Sequence, residues 1–360
     1  MATSLTEVQQ TYLVDNMNKV SRSFALVAPA VEAPLNDYLA TAYLICRVAD
    51  NIEDCTRPFS WQQDRFAEFA ALLRNPTDAR KILFLWEHES WPGLTIDEQQ
   101  MMSVDGGLML WQIYALIPDE SRDSIAHWAL IMARGMEQVV NPDQAAGFFI
   151  SRDGVRLPDK EIGYDEYCYY VAGTVGHMIT EMAITQYALE GKPAKRLLEN
   201  SEASGRALQK TNIVKDFAKD LERGVCYLPD EWLREVNYDP LRLEGAPLPW
   251  KEKVLTNVLQ EFEDSVKYIM DLPTRAVGFR KASLLMLLPG YQTLLLAARN
   301  HQRLFTPAHN IKISRITMTK CLLDARQMVA NNDAILDYSR NARAELSKAL
   351  DSDKIRVAVR

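Results

Sequence analysis

The stretch YLATAYLICRVADNIED, Tyr38–Asp54, decides the fold class, because it has the pattern of one long helix with apolar residues over most of its surface. At roughly 100° per residue, a polar stripe runs along this helix and contains Tyr43, Arg47, Asp50 and Asp54, with Glu53 beside it. Like charges four residues apart destabilise a helix by roughly 0.2–0.5 kcal/mol. The acidic end is therefore either a solvated helix terminus or a binding site.

A second stripe of the same kind lies in LQKTNIVKDFAKD, Leu208–Asp220. One face carries Gln209, Asn212, Asp216 and Asp220. Two helices with aspartates at i and i+4 suit Mg²⁺, which binds carboxylate oxygens and completes its shell with water and substrate phosphates. Facing helices of a bundle are a common place for such a site. The two stripes together predict Mg²⁺-dependent polyphosphate chemistry.

A third segment, YDEYCYYVAGTVGHMIT at Tyr164–Thr180, places Tyr167 on one side and two glycines, Gly173 and Gly176, on the other. Glycine in a helix interior costs about 1 kcal/mol relative to alanine. Two glycines so close together indicate that another helix or a ligand approaches this face, and the sequence leaves both explanations open.

Helical periodicity extends over nearly the whole chain and is interrupted by proline and glycine, which predicts about ten or more helices. There is no internal repeat or long linker, so we expect one all-α domain over residues 1–360. The stretch Asn141–Asp159 is predicted to be a loop that could act as a flap. The most apolar stretch, Ala282–Ala298, is broken by Pro289-Gly290, and we expect no transmembrane segment.

Composition excludes several classes of protein. The 41 Lys and Arg against 48 Asp and Glu give a net charge of −7, which argues against nucleic acid as a partner. The five cysteines are dispersed without a CxxC pair, so neither a disulfide framework nor a zinc site is expected. A metal ion in this chain would be a hard cation held by carboxylates.

These motifs, in this order, resemble those of the squalene/phytoene synthase family of head-to-head isoprenyl diphosphate synthases. The similarity is carried by SRSF at Ser21–Phe24, DNIED at Asp50–Asp54, YCYYVAGTVG at Tyr167–Gly176, and LQKTNIVKDFAKD followed by YLP at Tyr227–Pro229. LQKTN and the stretch from Arg275 to Arg315 are most similar to the squalene synthases within the family. The resemblance implies an all-α isoprenoid-synthase bundle around a central cavity, with the two aspartate motifs facing each other at its mouth.

The resemblance also implies roles for individual residues. Mg²⁺, and through it diphosphate, would be held by Asp50, Glu53, Asp54, Asp216 and Asp220. Diphosphate oxygens would be bound by Ser21, Arg22, Arg47 and Lys215, and the second diphosphate or the cofactor by Gln209 and Asn212. Tyr43 and Tyr167 would line the reacting centre, with Tyr167 steering the proton lost in cyclopropane formation. NADPH phosphate would be bound by Lys312 and Arg315. The alternative is that these two residues are only the basic start of a helix.

Three functions remain open from the sequence. The first is condensation of two farnesyl diphosphates to presqualene diphosphate, followed by NADPH-dependent reduction to squalene. The second is condensation only, giving phytoene, dehydrosqualene or presqualene diphosphate, and the third is a non-catalytic scaffold, which would be expected to have lost aspartates. Two departures from the family pattern concern the reduction step: Val225 follows Gly224 where relatives commonly have Arg, with Arg223 just before, and Cys55 replaces a frequent Asp.

The expected location is cytoplasmic, with peripheral contact at the inner face of the membrane for release of a lipid product. The sequence ends in DSDKIRVAVR, without an apolar tail, so no membrane anchor is expected. We expect a monomer or a weak dimer.

Overall fold

The computed structural model describes residues 5–21, 24–142, 148–306 and 311–358, with side chains as far as residue 351. Among the predicted site residues, Arg22 lies outside the described residues. The chain divides into two compact units, Met1–Gln144 with His177–Glu190, and Ala145–Gly176 with Gly191–Arg360. The prediction of a single domain stays a prediction.

The described residues of the first unit form eight α-helices and part of a later one. The helices are α1 (Glu7–Val20), α2 (Phe24–Val27), α3 (Leu35–Asp54), α4 (Phe59–Arg74), α5 (Ala79–Trp86), α6 (Ile96–Met101), α7 (Val104–Leu116) and α8 (Asp119–Val140). Helix α3 is central, because it packs against α1, α4, α7 and α8. Its apolar residues, among them Leu44, Val48 and Ile52, are fully buried, which leaves the polar stripe as its accessible side.

In the second unit, a short hairpin of β1 (Phe149–Arg152) and β2 (Val155–Pro158) precedes a series of helices. Its helices are α9 (Glu161–Cys168), a π-helical turn (Tyr169–Gly173), α10 (Thr174–Gln186, which continues into the first unit), α11 (Gly191–Glu199), α12 (Ser201–Glu222), α13 (Asp230–Glu235), α14 (Leu248–Asp271), α15 (Val277–Arg299), α16 (Arg315–Met328) and α17 (Asn332–Ala358). Helix α12 packs against α14, α15 and the π-helical turn. The all-α fold class is confirmed, with the hairpin as a local exception.

Small residues let α12 approach the helical segment before it. A Cβ atom on Gly176 would lie 2.1 Å from the carbonyl oxygen of Ser201, and one on Gly205 would lie 2.1 Å from the carbonyl oxygen of Ala172. Carbon and oxygen atoms that are not bonded cannot come so close. Helix packing therefore explains Gly176, and the sequence analysis did not identify its counterpart Gly205.

We expect Gly205→Ala to lower the free energy of unfolding by about 2 kcal/mol, because the added methyl forces two backbones apart. Elsewhere in a helix the same change stabilises by up to about 1 kcal/mol. Chemical denaturation measures the difference. The control is Ser204→Ala, one residue earlier and only half-buried, which should change stability by less than about 0.5 kcal/mol. Equal stability of Gly205→Ala and the wild type would contradict the close approach.

The hairpin corrects the prediction of a loop over Asn141–Asp159. Strands β1 and β2 pair from Phe149↔Pro158 to Arg152↔Val155, and residues 143–147 lie outside the described residues. The turn consists of Asp153 and Gly154, both with positive φ, at 51° and 79°. An Asp-Gly pair between two short β-prone runs is a strong hairpin signal that was available in the sequence.

Helix α15 corrects the expectation that Pro289-Gly290 breaks the apolar stretch, since it is continuous through both residues. Proline in a helix interior costs about 3 kcal/mol. Helix α15 has buried residues on both sides of the proline, such as Leu284 and Leu295. It packs against α12, α14, α16 and α17. Tertiary packing outweighs the local cost.

Candidate active site

The acidic end of α3 is held in place by an arginine from the same helix. Arg47 donates hydrogen bonds to Asp50, at 3.4 Å, and to Glu98 at the start of α6. Glu98 is fixed in turn, because it forms a capping box with Thr95. The predicted diphosphate ligand Arg47 therefore already neutralises two carboxylates, one of which the sequence analysis did not identify.

Asp50 lies in a place that disfavours its negative charge. Burial raises its pKa to about 6, Arg47 opposes that shift, and the nearby charges of Asp54 and Glu98 add to it. The carboxylates also lie at the C-terminal end of α3, where the helix dipole is negative. Three separate effects thus favour a cation at this end of the helix.

The carboxylates at the end of α3 suit a Mg²⁺ ion that shares its ligands with water and substrate better than a metal ion held by protein side chains alone. Among the residues that the structure describes, no three His, Cys, Asp or Glu side chains form a group that could hold a metal ion. Mg²⁺ is commonly bound through one or two carboxylates, with water and substrate phosphates completing the shell. Asp50 and Asp54 lie one helical turn apart on α3 and could provide two such carboxylates.

Tyr43 lies one turn before Arg47 on α3 and is half-buried. Its ring stacks on that of Phe24, with centroids 4.7 Å apart. Burial raises the pKa of its hydroxyl, and a hydrogen bond with Ser21 partly opposes this shift. Two predicted site residues, Ser21 and Tyr43, are therefore in direct contact.

The stripe on α12 is a chain of polar contacts on a half-exposed surface. Lys215 donates to the side-chain oxygen of Asn212 at 3.0 Å and forms an ion pair with Asp216 at 3.1 Å. Lys219 contacts the other oxygen of Asp216 at 3.3 Å. Exposed ion pairs are worth only about 0–1 kcal/mol, so a metal ion could displace the lysines from Asp216. Asp220 is the last aspartate of the stripe, and its carbonyl accepts from the backbone N–H of Val225 at 3.0 Å.

Tyr167 belongs to a cluster of three aromatic rings in the second unit. It stacks on Tyr227 with ring centroids 4.3 Å apart. Each of these two rings forms a T-shaped contact with Phe149 on β1, with centroids 6.3 Å apart. Tyr167 and Phe149 are almost fully buried. The π-helical turn begins two residues after Tyr167, and such turns are frequent at functional sites.

Arg156 on β2 is a cation near this cluster that the sequence analysis missed. Its guanidinium carbon lies 5.8 Å from the centroid of the Phe149 ring. Its backbone donates to the carbonyl of Gly224 at 2.9 Å and accepts from Cys226 at 2.8 Å, so it runs alongside Val225. Arg156 is thus paired with Val225, the position at which relatives commonly have an arginine. The Asp153-Gly154 hairpin signal could have identified it.

Lys210, in the middle of LQKTN, was also missed. It is 1% exposed and donates three hydrogen bonds, to Asp165 on α9 and to Asn257 and Glu261 on α14, at 2.7, 2.8 and 2.7 Å. Arg206 pairs with the same two carboxylates. A buried lysine therefore ties the helix of the second aspartate motif to the helix of Tyr167. Its neighbours Gln209 and Asn212 are more accessible.

Comparisons with known proteins identify the family of this chain. The profile of the squalene/phytoene synthase family matches residues 17–317 of the chain. The chain belongs to the squalene/phytoene synthase family. It is 26% identical over 327 residues to the squalene synthase of Rattus norvegicus, covering 89% of the chain and 71% of that protein.

Solved structures of the family share the fold. A structure of TcSQS in complex with the ligand BPH1237 has a TM-score of 0.74 at 21% identity and covers 96% of this chain and 99% of that one. A dehydrosqualene synthase in complex with a ligand has a TM-score of 0.63 at 19% identity and covers 90% and 97%. The family resemblance and the fold class predicted from the sequence are thereby confirmed. The chain is similar in sequence to a squalene synthase and in fold to a dehydrosqualene synthase.

Glu53 lies near the C-terminal end of α3 and is half-buried. The predicted cofactor ligands Lys312 and Arg315 lie just before α16 and at its first residue. Both side chains are exposed, and Ser314 between them caps the helix by accepting from the N–H of Thr317 at 3.0 Å. In the described part of the chain, neither side chain contacts another predicted site residue. Their assignment to NADPH, and that of the two carboxylate pairs to one shared site, stay predictions.

One helix in the described residues, α15, is long and apolar enough to cross a membrane. In its most apolar window, 56% is buried inside the protein. The core helix of a soluble protein passes the same test, so this is weak evidence for a membrane span.

Proposed function

We propose that this family member is a squalene synthase, which condenses two farnesyl diphosphates head to head to presqualene diphosphate and reduces that intermediate to squalene with NADPH. The observation that supports the proposal is the pair of aspartate motifs, on α3 and α12, each accompanied by cations. The intact carboxylates also argue against the scaffold hypothesis. Squalene synthases among the relatives support the choice of product.

The carboxylates Asp50, Glu53, Asp54, Asp216 and Asp220 would hold Mg²⁺. Bound Mg²⁺ neutralises charge on a departing diphosphate. Diphosphate oxygens would be bound by Ser21, Arg22, Arg47 and Lys215, whose side chains, where described, already lie beside the carboxylates or beside Tyr43. When diphosphate binds, Arg47 would exchange one of its two carboxylate partners for a phosphate oxygen. Gln209 and Asn212 would contact the second diphosphate or the cofactor.

The aromatic residues suit a reaction that passes through allylic cations. Faces of aromatic rings attract cations, and a dry apolar wall keeps water away from them. Tyr43 stacked on Phe24, and Tyr167 stacked on Tyr227, supply such faces. The hydroxyl of Tyr167 would steer the proton lost when the cyclopropane ring closes.

The reduction step requires a site for NADPH, which supplies hydride. Lys312 and Arg315 are exposed cations at a helix start, and we propose that they bind the phosphates of NADPH. Arg315 lies at the positive end of the α16 dipole, so a bound anion would relieve an unfavourable contact.

A second candidate is a synthase that condenses but does not reduce. Val225 favours it, because one guanidinium of the usual diphosphate site is absent at that position. Arg156, paired beside Val225, is the residue that could compensate.

Product analysis distinguishes the two. Purified protein is incubated with farnesyl diphosphate and Mg²⁺, with and without NADPH, and the lipids are extracted. We expect squalene only when NADPH is present. Presqualene diphosphate or dehydrosqualene regardless of NADPH would establish the condensation-only enzyme. If farnesyl diphosphate gives no product, geranylgeranyl diphosphate is the substrate to test next, and failure of both would overturn the proposed activity.

We further propose that the protein is cytoplasmic and touches the inner face of the membrane to release its lipid product. We propose a monomer or a weak dimer, which sedimentation at several concentrations would test.

A further inference from the structure

Helix α16 has an exposed face that combines apolar and basic side chains. The two apolar residues, Ile316 and Leu323, are 83% and 52% exposed. Along an arc of roughly 140° on the helix, they lie between Arg315 and Arg326 on one side and Lys320 on the other.

The charges on this face are of one sign. The described exposed arc of α16 contains only these cations with Thr319, Gln327 and the two apolar residues. Asp324, the acid within this helix, is half-buried at the margin of the arc. Within the part of the chain that the structure describes, neither Lys320 nor Arg326 forms an ion pair. By contrast, Lys267 on α14 forms an ion pair with Asp264.

A helical face with exposed apolar residues between cations matches the surface of an anionic bilayer. The apolar side chains enter the boundary between headgroups and acyl chains, and each cation near the surface gains from the negative surface potential. We propose that α16 docks this protein on anionic lipid through Ile316 and Leu323, with Lys320 and Arg326 facing the headgroups. The inference deepens the proposed function, because a squalene-forming enzyme must pass its product to a lipid phase.

Among the residues whose exposure is described, one other helix exposes two apolar residues that are adjacent in sequence, and it is a weaker candidate. On α5, Phe84 and Leu85 are 55% and 51% exposed and lie near Arg80 and Lys81. The helix is only eight residues long and is flanked by the exposed acids Asp78 and Glu87, which an anionic surface repels. Its similar composition makes it the matched control.

Vesicle sedimentation of the full chain tests the proposal without substrate or turnover. The vesicles contain either phosphatidylcholine alone or equal parts of phosphatidylcholine and phosphatidylglycerol, at low and at high salt. We expect the wild type to bind the anionic vesicles at low salt, with weaker binding at high salt and on phosphatidylcholine. Ile316→Gln/Leu323→Gln, and separately Lys320→Glu/Arg326→Glu, should each lower the partition coefficient by roughly tenfold or more.

The control pairs Phe84→Gln/Leu85→Gln and Arg80→Glu/Lys81→Glu should leave the partition coefficient within about twofold, and circular dichroism checks that every variant is folded. The proposal is overturned if the wild type does not bind anionic vesicles, if the α16 variants bind as well as it does, or if the α5 pairs cause an equal loss. Because no product is measured, a failure to form squalene would leave the vesicle result unaffected.

Discussion

Asp50→Asn is expected to lower turnover by at least about a thousandfold. The substitution keeps the volume of the side chain and removes the charge that would hold Mg²⁺ against a departing diphosphate. A metal ion supplies several kcal/mol of transition-state stabilisation, and each 1.36 kcal/mol is a factor of about ten in rate. Turnover is measured as release of diphosphate from farnesyl diphosphate at saturating Mg²⁺.

The fold should survive this change. Burial and the neighbouring carboxylates raise the pKa of Asp50, so its ionised form is destabilised in the folded protein. Arg47 retains Glu98 as a partner when Asp50 is neutral. The thermal midpoint of Asp50→Asn at neutral pH should therefore not fall below that of the wild type, which separates a loss of activity from a loss of structure.

The control is Asp37→Asn, at the opposite end of the same helix, where the carboxylate contacts Gln10. It should leave turnover within a few-fold of the wild type. Asp216→Asn on α12 should behave as Asp50→Asn does, with exposed Glu222→Gln on the same helix as its control. Wild-type turnover in Asp50→Asn or in Asp216→Asn would contradict the assignment of the two carboxylate motifs to Mg²⁺.

Local periodicity made the elements of this fold predictable. The predicted helix Tyr38–Asp54 lies within α3, and Leu208–Asp220 lies within α12. Both could be predicted because spacing along one helix determines which residues share a face. The contacts within each stripe, Arg47 with Asp50 and Lys215 with Asp216, follow from the same short spacing.

Contacts between distant segments were not predictable. Arg47 and Glu98 are 51 residues apart, and Lys210 reaches residues 45 to 51 positions away on two other helices. Nothing in LQKTN indicates that its lysine is buried, because burial depends on how helices pack rather than on the local pattern. Arg156 is a different case, because the Asp153-Gly154 pair just before it is a hairpin signal in the sequence itself.

Lys210→Met is expected to lower the free energy of unfolding by about 3 kcal/mol. The ammonium group is buried and contacts Asp165, Asn257 and Glu261, and its loss would leave carboxylates without one of their partners in a poorly solvated place. Breaking one side of a buried ion pair typically costs about 3–5 kcal/mol. Arg206 still pairs with both carboxylates, which puts the expected loss at the lower end.

Urea denaturation measures this loss, and Lys267→Met is the matched control. Lys267 pairs with Asp264 on the exposed side of α14, so its removal should change stability by less than about 0.5 kcal/mol. Glu261→Gln completes a double-mutant cycle, because a neutral side chain needs no counter-ion. The double variant should lose less stability than the sum of the two single variants. If the loss in the double variant equals the sum of the two single losses, or if Lys210→Met loses less than about 1 kcal/mol, then α9, α12 and α14 are held together by their apolar contacts. The buried lysine of LQKTN would then have a role other than stability.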